Sequence, residues 1–472
     1  MRKAFYIGGQ WVEGSEYSPL YAPHSGEQLA EIPVADQSIV EQAIRAAEQA
    51  NPVMRKMPAH QRASMLDKIA DLFAERSEEA ARIVAEEAGK PLKTARGEIA
   101  RTIQTYRFAA EEAKRIHGET LPIDAAPGGE GRIAYTVREP LGTIGAITPF
   151  NFPMNLVAHK VGPALAAGNT VVLKPASQTP LSSLFLAQLA EEAGLPAGAL
   201  NVITGSGGLV GDILVTDPRI KAITFNGSPQ VGIGIRNRAG LKRVTLELGS
   251  NSAVVVDRDV NLAEVVPRCV FGAFSFSGQV CISVQRIYVV DQIYEAFVEA
   301  FLAETRKLRG GDPLLEDTDF SAMIHPKETE RALSWIREAQ QQGAHVLTGG
   351  EVEGRVLLPT VLTGVPVDAK VSCQEVFGPV VLINRVESVQ EAIGYVNDSR
   401  YGLQAGVYTN DLHTALDAAD RLHVGGVIIN DIPTFRVDHM PYGGVKESGM
   451  GREGLKYAIE EMTEMKLVMF KR

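Results

Sequence analysis

The 472-residue sequence contains few cysteines and no pattern that would pair them. Cys269, Cys281 and Cys373 are an odd number at wide spacings, with no CxxC motif and no accompanying pair of histidines. We therefore expect neither a disulfide framework nor a zinc site, and no metal. Free thiols fit a reducing compartment, so we expect the protein to be cytoplasmic.

Long hydrophobic runs and an excess of basic charge are also missing. No apolar stretch approaches the roughly 18 residues of a membrane-spanning helix, and the start, MRKAFYIGGQW, lacks the hydrophobic region of a signal peptide. The 47 basic and 57 acidic residues give a net charge of −10. These features predict neither a membrane nor a nucleic acid as partner.

Strand and helix patterns alternate along most of the chain, which is long enough for two or three domains. Apolar segments separated by helical stretches are typical of right-handed βαβ crossovers, so we predict an α/β fold with doubly wound parallel sheets. The strands predicted for a first domain are 144–148, 170–174, 201–204, 221–225 and 243–248. Those predicted for a second are 252–257, 286–290, 380–386, 405–409 and 426–430.

Helices and two isolated strands account for the rest of the pattern. Residues 38–41, SIVE, have the form of a capping box at a helix start, and long amphipathic runs cover residues 61–88 and 94–116. Strand-like segments at 133–137 and 464–470 flank the domains rather than join them. We expect these two segments to pair into an arm that serves oligomerisation.

Cys281 lies in the stretch FSGQVCISVQR, between small and polar neighbours. A thiol so placed can act as a nucleophile if its proton is removed, because the thiolate is the reactive form. The alternative is a buried structural cysteine, which is the commoner use of the residue. The choice depends on whether the rest of the chain supplies a base.

Several polar residues follow predicted strands, at the sheet edge where ligands bind in open α/β folds. Glu247 could be a general base and Asn151 an oxyanion donor, or they could be a salt-bridge partner and a turn residue. Lys174 could face a ligand or solvent. Gly227 and Ser228 precede Pro229 at a helix start that would suit a pyrophosphate, although the G-x-G-x-x-G fingerprint is absent and an ordinary helix cap is the alternative.

Seven ordered blocks carry a resemblance to a known family. They are TPFNFPMN, LKPASQTP, FNGSPQVG, LELGSNS, SGQVC, QEVFGPV and GGVKESGMGREG. The chain resembles the NAD(P)-dependent aldehyde dehydrogenases of the hydrolytic type over its whole length. The resemblance implies a Rossmann-like cofactor domain (1–119 and 141–248), a catalytic domain (249–440) and an arm (120–140 and 441–472), assembled as a homodimer or homotetramer.

The same resemblance implies a role for each matching residue. Cys281 corresponds to the nucleophile that forms a thiohemiacetal and then a thioester, Asn151 to the oxyanion donor, and Glu247 to the base that activates the hydrolytic water. Lys160 and Glu453 correspond to a proton path. The implied cofactor residues are Phe150, Lys174, Ser177, Gly227, Ser228, Glu375 and Phe377.

Two positions depart from the common family pattern. Ser177 stands where members that prefer NAD often carry Glu, and without that carboxylate to repel a 2′-phosphate we expect NADP, with NAD as the alternative. Phe150 stands where many relatives have Trp, a conservative change that leaves the assignment of Asn151 intact.

The substrate channel implied by the resemblance is unusually polar. Arginine suits carboxylate, phosphate or sulfonate, so we expect a short hydroxylated or anionic aldehyde such as succinate semialdehyde, lactaldehyde, glyceraldehyde 3-phosphate or sulfolactaldehyde. A CoA-acylating relative is the nearest alternative, against which Glu247 counts, and a catalytically silent relative is another. The implied substrate residues are Arg101, Phe152, Asn155, Leu156, His159 and Arg436, the last in the loop 434–439.

Overall fold

Two sheets organise the chain, and the structure, a computed structural model, describes all residues from 1 to 472. Their inner strands are runs of apolar residues, which suit sheets covered by helices on both faces. All ten strands predicted for the two domains are present, with ends shifted by at most two residues. The predicted α/β class is confirmed.

The first sheet has eight strands, of which the five central ones are parallel. Strand order reverses between Thr143–Ile147 and Ile220–Asn226, which pair with each other. The loops that follow these two strands therefore diverge and leave a crevice, the usual ligand position in such sheets. In spatial order the strands are Gln10–Val12, Phe5–Ile7, Leu200–Val202, Thr170–Lys174, Thr143–Ile147, Ile220–Asn226, Arg243–Glu247 and Gly449–Met450.

Helices cover both faces of the first sheet. On one face, six helices share a large apolar core with the strands: Ala59–Glu75, Ser77–Ala88, Leu92–Ala113, Asn155–Ala167, Leu181–Glu192 and Leu455–Glu461. On the other face lie Gln37–Lys56, Asp212–Thr216 and Pro229–Arg238. None of the helices combines the length and apolar character needed to cross a membrane.

Two helix predictions are wrong in detail. The first helix begins at Gln37, because the Asp36 side chain accepts the Ile39 N–H at 2.9 Å and caps it, so the capping box predicted at 38–41 does not form. The run predicted at 61–88 is two helices, because the Arg76 backbone leaves the helical region (φ −111°, ψ 29°). The Arg76 guanidinium then bonds to Glu192 at 3.0 Å.

The second sheet has seven strands, all parallel except the first edge strand. In spatial order they are His345–Thr348, Thr360–Thr363, Val380–Val386, Arg286–Val290, Ala253–Val256, Gln404–Tyr408 and Gly426–Ile429. The covering helices are Leu262–Phe274, Tyr294–Thr305, Pro326–Gln341, Lys370–Cys373, Val389–Asn397 and Leu412–Arg421. Small hairpins join Tyr17–Tyr21 to Gln28–Pro33 and Val352–Glu353 to Val356–Leu357.

A separate three-stranded sheet, the arm sheet, consists of Thr120–Leu121, Arg132–Pro140 and Thr463–Lys471. The two longer strands pair antiparallel along their whole length, from Thr463 opposite Pro140 to Lys471 opposite Arg132, which confirms the predicted pairing. The predicted arm range 441–472 is longer than this strand, since Gly449–Met450 joins the first sheet.

Candidate active site

A cavity of about 1030 Å³ opens at the carboxyl ends of the first sheet, where strand order reverses, and extends to the second sheet. It brings together ten of the predicted site residues: Phe150, Asn151, Leu156, Lys174, Gly227, Ser228, Glu247, Cys281, Glu375 and Phe377. The remaining predicted residues do not line it; they are Ser177, Arg101, Phe152, Asn155, His159, Lys160, Arg436 and Glu453.

The loop before Cys281 has an unusual backbone. Phe276, Ser277 and Gly278 all have positive φ (49°, 54° and 67°), a conformation that costs free energy for the first two residues. A side chain at Gly278 would meet the Gly378 carbonyl oxygen at 2.1 Å. The Gln279 side chain accepts the Ile324 N–H at 2.9 Å. The strained backbone and its contacts with neighbouring segments fix the position of Cys281.

The Cys281 sulfur lies 3.1 Å from the Tyr442 hydroxyl oxygen. Burial raises the pKa of the thiol to about 11, while the Tyr442 hydrogen bond and the Arg436 charge act in the opposite direction. Glu375 and Glu247 add to the increase. The thiol therefore needs a hydrogen-bond donor or a base to reach its reactive form.

Asn151 is buried and reaches the same loop. Its Nδ2 donates to the Gln279 carbonyl at 3.0 Å, two residues before Cys281. The amide follows the strand Thr143–Ile147, in the loop between Pro149 and Phe152, as the sequence predicted. This bond holds the amide group beside the cysteine loop while leaving a second N–H for an oxyanion.

Glu247 ends the strand Arg243–Glu247, is buried, and has no hydrogen-bond partner for either carboxyl oxygen. Burial and repulsion by Glu453 raise the pKa of Glu247 well above its usual value, against the attraction of Arg436 and Lys160. An unpartnered carboxyl group at the wall of a cavity is free to take a proton from a water molecule there.

The far part of the cavity, called the cradle below, presents groups that suit a phosphate-bearing ligand. Helix Pro229–Arg238 begins there, with Ser228 as its N-cap and Pro229 in its first turn, as predicted. Helix N-termini present free N–H groups to phosphate. Lys174 faces the same space, and burial lowers the pKa of its ammonium group to about 8.

Glu375 and Phe377 line the cavity between the cradle and Cys281. Glu375 accepts the Ser250 N–H at 2.9 Å, and burial raises its pKa to about 7. Phe377 has a positive φ of 48° and meets the Phe150 ring edge to face, with ring centroids 5.8 Å apart. Ser177 lies outside the lining; it is exposed, and its hydroxyl donates to the Gly205 carbonyl at 3.3 Å.

The predicted substrate residues converge on one carboxylate, Asp438. It accepts bonds from Arg101 Nη2 (2.7 Å), Asn155 Nδ2 (3.1 Å) and His159 Nε2 (2.8 Å). Burial opposes ionisation of Asp438, but the bonds from His159 and Arg101 prevail and lower its pKa. Arg101, which was predicted to bind substrate, is therefore already paired within the protein.

Arg436 is likewise paired. Its Nη2 donates to Glu453 at 2.9 Å, and its guanidinium carbon lies 3.7 Å from the centroid of the Tyr442 ring. Lys160 bonds to the other Glu453 oxygen at 3.1 Å and to Thr224 at 2.9 Å. The Nε of Arg436 is buried and has no partner.

Sequence reasoning missed two residues of this region, Asp438 and Tyr442. Asp438 lies inside the loop 434–439 that was predicted to line the channel, so its carboxylate among arginines was a usable signal. Tyr442 directly precedes a recognised block and carries no signal of its own. Only the fold shows that its hydroxyl meets Cys281.

The sequence model described as "Aldehyde dehydrogenase family" matches residues 11–468. A 3-sulfolactaldehyde dehydrogenase of Priestia aryabhattai is 50% identical over 464 residues, which cover 98% of this chain and 97% of that protein.

Two solved structures are similar over nearly the full length of both chains. Aldehyde dehydrogenase 21 of Physcomitrella patens, in complex with the reaction product succinate, has a TM-score of 0.97 at 39% identity and covers 100% of this chain and 98% of its own. An NADP-dependent glyceraldehyde-3-phosphate dehydrogenase of Bacillus halodurans, complexed with NADP, has a TM-score of 0.97 at 38% identity and covers 100% and 99%.

Proposed function

The chain belongs to the aldehyde dehydrogenase family and is an NAD(P)-dependent aldehyde dehydrogenase, and we propose that its substrate is a short aldehyde carrying hydroxyl or anionic groups. Three relatives support this class of substrate. One is named for 3-sulfolactaldehyde, one for glyceraldehyde 3-phosphate, and the third is described in complex with the product succinate. Sulfonate, phosphate and carboxylate share a negative charge on a short chain. We propose 3-sulfolactaldehyde as the first substrate to test.

The observation that carries this proposal is the free Nε of Arg436. This nitrogen is buried without a partner, and the guanidinium lies against Tyr442, whose hydroxyl meets the Cys281 sulfur. A buried donor without an acceptor costs free energy unless a ligand satisfies it. Arg436 does not line the cavity, so we propose that an anionic substrate group extends beyond Cys281 to reach this nitrogen. Arg101, which bonds Asp438 through Nε and Nη2, keeps Nη1 for the same purpose.

The proposed chemistry uses three residues of the chain. The Cys281 thiolate forms a bond to the aldehyde carbon, and the carbonyl electron pair moves to oxygen, where the Asn151 amide and the Cys281 N–H stabilise it. After oxidation the acyl group is a thioester of Cys281. Glu247 takes a proton from the water that attacks the thioester, the thiolate leaves, and the carboxylic acid is released.

The cavity fits the dinucleotide that this chemistry needs. The start of helix Pro229–Arg238 with Ser228 and Gly227 would hold the pyrophosphate, Lys174 and Ser177 the adenosine ribose, and Glu375 with Phe377 and Phe150 the nicotinamide end. The buried Asn226 side chain oxygen, unpartnered, is a further acceptor at this wall. A bound nicotinamide would supply the acceptor for the hydride whose loss oxidises the thiohemiacetal to the thioester.

We propose NADP as the preferred cofactor and NAD as the alternative. No carboxylate stands at Ser177 to repel a 2′-phosphate, and the Lys174 ammonium faces the cavity. A several-fold higher kcat/KM with NAD than with NADP would contradict this preference.

An aldehyde panel tests the proposed substrate class. The purified protein is assayed with NADP against 3-sulfolactaldehyde, succinate semialdehyde, lactaldehyde and glyceraldehyde 3-phosphate, with propanal as the neutral reference. We expect kcat/KM for the best anionic aldehyde to exceed that of propanal by at least about tenfold, or about 1.4 kcal/mol of transition-state binding. Equal kcat/KM values for the anionic aldehydes and propanal would refute the proposed substrate class.

A parallel assay with CoA that gave an acyl-CoA instead of free acid would refute the role of Glu247 in hydrolysis.

We also propose that the chain forms a homodimer or homotetramer through the arm sheet, whose outer residues Met465, Leu467 and Phe470 are more than half exposed. The three proposed domains keep the ranges given above, except that the C-terminal part of the arm is limited to the strand Thr463–Lys471. All three cysteines are free thiols, which supports the proposed cytoplasmic location.

A further inference from the structure

Tyr442 is the one side chain whose polar atom touches the Cys281 sulfur, at 3.1 Å, yet the chemistry described above does not use it. The residue is buried, with 2% of its surface exposed. It follows the loop 434–439 and directly precedes Gly443, at which a side chain would meet the Glu247 carboxyl oxygen at 2.9 Å. Tyr442 therefore contacts the proposed nucleophile, and the residue after it lies against the proposed base.

The tyrosine ring is held by a buried ionic chain. The Arg436 guanidinium lies 3.7 Å from the ring centroid, within the range of a cation–π contact. Arg436 is fixed by Glu453 at 2.9 Å, and Glu453 by Lys160 at 3.1 Å. The hydroxyl thus points at the sulfur from a ring that cannot turn away without breaking this stack.

The direction of the hydrogen bond follows from the ionisation of both groups. Burial raises the pKa of the Tyr442 hydroxyl well above its usual value, so the phenol keeps its proton. A thiolate has no proton and can only accept. The bond is therefore a neutral one when Cys281 is protonated and becomes charge-assisted when Cys281 ionises, and charge-assisted bonds are about twice as strong.

We propose that Tyr442 is a further catalytic residue, which donates its hydroxyl proton in a hydrogen bond to the Cys281 thiolate and so stabilises the reactive form of the nucleophile. The inference rests on the proposed nucleophilic role of Cys281. Tyr442 acts at two steps of the proposed reaction. The hydroxyl stabilises the sulfur before it bonds to the aldehyde carbon, and again when the carbon–sulfur bond of the tetrahedral adduct breaks and the electron pair returns to sulfur.

Alkylation of the free enzyme with iodoacetamide tests this role without aldehyde or cofactor. The rate of Cys281 modification is measured against pH by mass spectrometry, which separates it from Cys269 and Cys373. The charged or titratable groups that act on the thiol are Tyr442, Arg436, Glu375 and Glu247. Tyr442→Phe removes the hydroxyl oxygen and keeps the aromatic ring against Arg436. Of the four groups, it therefore changes only the one at position 442.

In Tyr442→Phe we expect the inflection of the alkylation profile to move about one pH unit upward, and the rate at neutral pH to fall about tenfold. Tyr106→Phe is the matched control, because Tyr106 is a buried tyrosine of the helical layer whose hydroxyl has no partner. It should leave the profile unchanged. Thermal unfolding and NADP binding of Tyr442→Phe should match those of the parent protein.

An unchanged inflection in a folded Tyr442→Phe protein overturns the inference, whatever its effect on turnover. If the variant unfolds, Tyr442 is replaced by 3-fluorotyrosine, whose more acidic hydroxyl donates a stronger hydrogen bond, and an inflection that does not move to lower pH overturns the inference as well. The proposed function fails separately, if Cys281→Ala retains dehydrogenase activity.

Discussion

Arg101 and Asp438, which lie 337 residues apart in sequence, form a salt bridge of 2.7 Å beside the helix that carries Asn155 and His159. Asp438 is buried, whereas about 30% of the Arg101 side chain is exposed. Asp438 thus accepts hydrogen bonds from three side chains, and the Arg101 guanidinium that it holds stays partly exposed. Asp438 orients Arg101 without occupying all of its hydrogen-bond donors. Only Nε and Nη2 bond to Asp438, so Nη1 remains for the anionic group of the proposed substrate.

Arg101→Ala should raise KM for an anionic aldehyde by about tenfold while changing KM for propanal by less than about twofold, since the lost contact is to a charge that propanal lacks. Steady-state kinetics with both substrates measure the difference. Arg107→Ala is the control on the same helix, because Arg107 pairs with Asp71 at the surface. Parallel increases in KM for both aldehydes would show that Arg101 only supports the fold.

Glu247→Gln should slow the release of the acid and cause the acyl-enzyme to accumulate, because the amide cannot take a proton from water. The raised pKa of Glu247 also has a consequence for pH. A base with a raised pKa is protonated and inactive below that pKa, so the hydrolysis rate of the parent protein should rise with pH through it. The variant should lose this rise.

Quenched-flow trapping of the thioester followed by mass spectrometry measures both effects. The variant should show a burst of reduced cofactor of about one equivalent per site, followed by slow turnover. Glu460→Gln, an exposed carboxylate on the last helix, is the control. Turnover in Glu247→Gln with the parent's pH profile would assign the base to another residue.

Much of this site could be predicted from the sequence, because strand ends and turn residues carry local signals. Ser228–Pro229 marks a helix start, and Lys174 and Glu247 each end an apolar strand, so their meeting at one sheet edge follows from parallel topology. The pairing of the arm strands could also be predicted, since both segments alternate and neither joins a domain.

The rest depends on contacts between distant segments, for which single residues give no local signal. The Asp438 cluster unites Arg101 with the helix Asn155–Ala167 and a loop near the end of the chain. The positive φ at Phe276 and Ser277 is imposed by the packing around them, because neither residue type favours that conformation. The capping box at 38–41 failed because the nearby Asp36 offers a better acceptor.

Ser177→Glu should reverse the cofactor preference from NADP to NAD. A carboxylate at this exposed position would repel the 2′-phosphate by about 1–3 kcal/mol at a separation of about 5 Å, which is at least several-fold in kcat/KM. Kinetics with each dinucleotide at saturating aldehyde measure the change. Ser177→Ala, which removes the hydroxyl without adding charge, should keep the NADP preference, and a reversal in this control would contradict the electrostatic explanation.

Lys90→Met should destabilise the protein by about 3–5 kcal/mol, because it leaves a buried carboxylate without its partner. Lys90 and Glu98 form an ion pair of 2.5 Å in which both side chains are almost fully buried. Glu98 also accepts hydrogen bonds from the N–H groups of Met154 and Asn155, at the start of helix Asn155–Ala167. Urea unfolding measures the loss, and Lys93→Met, which breaks an exposed pair with Asp319, is the control.

Leu467→Glu should dissociate the proposed oligomer without unfolding the subunit. Leu467 lies in the middle of the strand Thr463–Lys471, 51% exposed, next to Met465 and Met469 on an open apolar surface. An arm sheet of three strands has a long edge and little core of its own, so it needs a covering partner. A charge buried in that contact costs several kcal/mol, enough to shift the assembly to smaller species.

Sedimentation velocity at several protein concentrations measures this shift, and circular dichroism checks the fold. Leu241→Glu is the matched control, because Leu241 is fully exposed in a turn between a helix and a strand of the first sheet. It should sediment like the parent protein. A parent that is monomeric, or a Leu467→Glu variant with an unchanged sedimentation coefficient, would show that the apolar face of the arm sheet does not hold the subunits together.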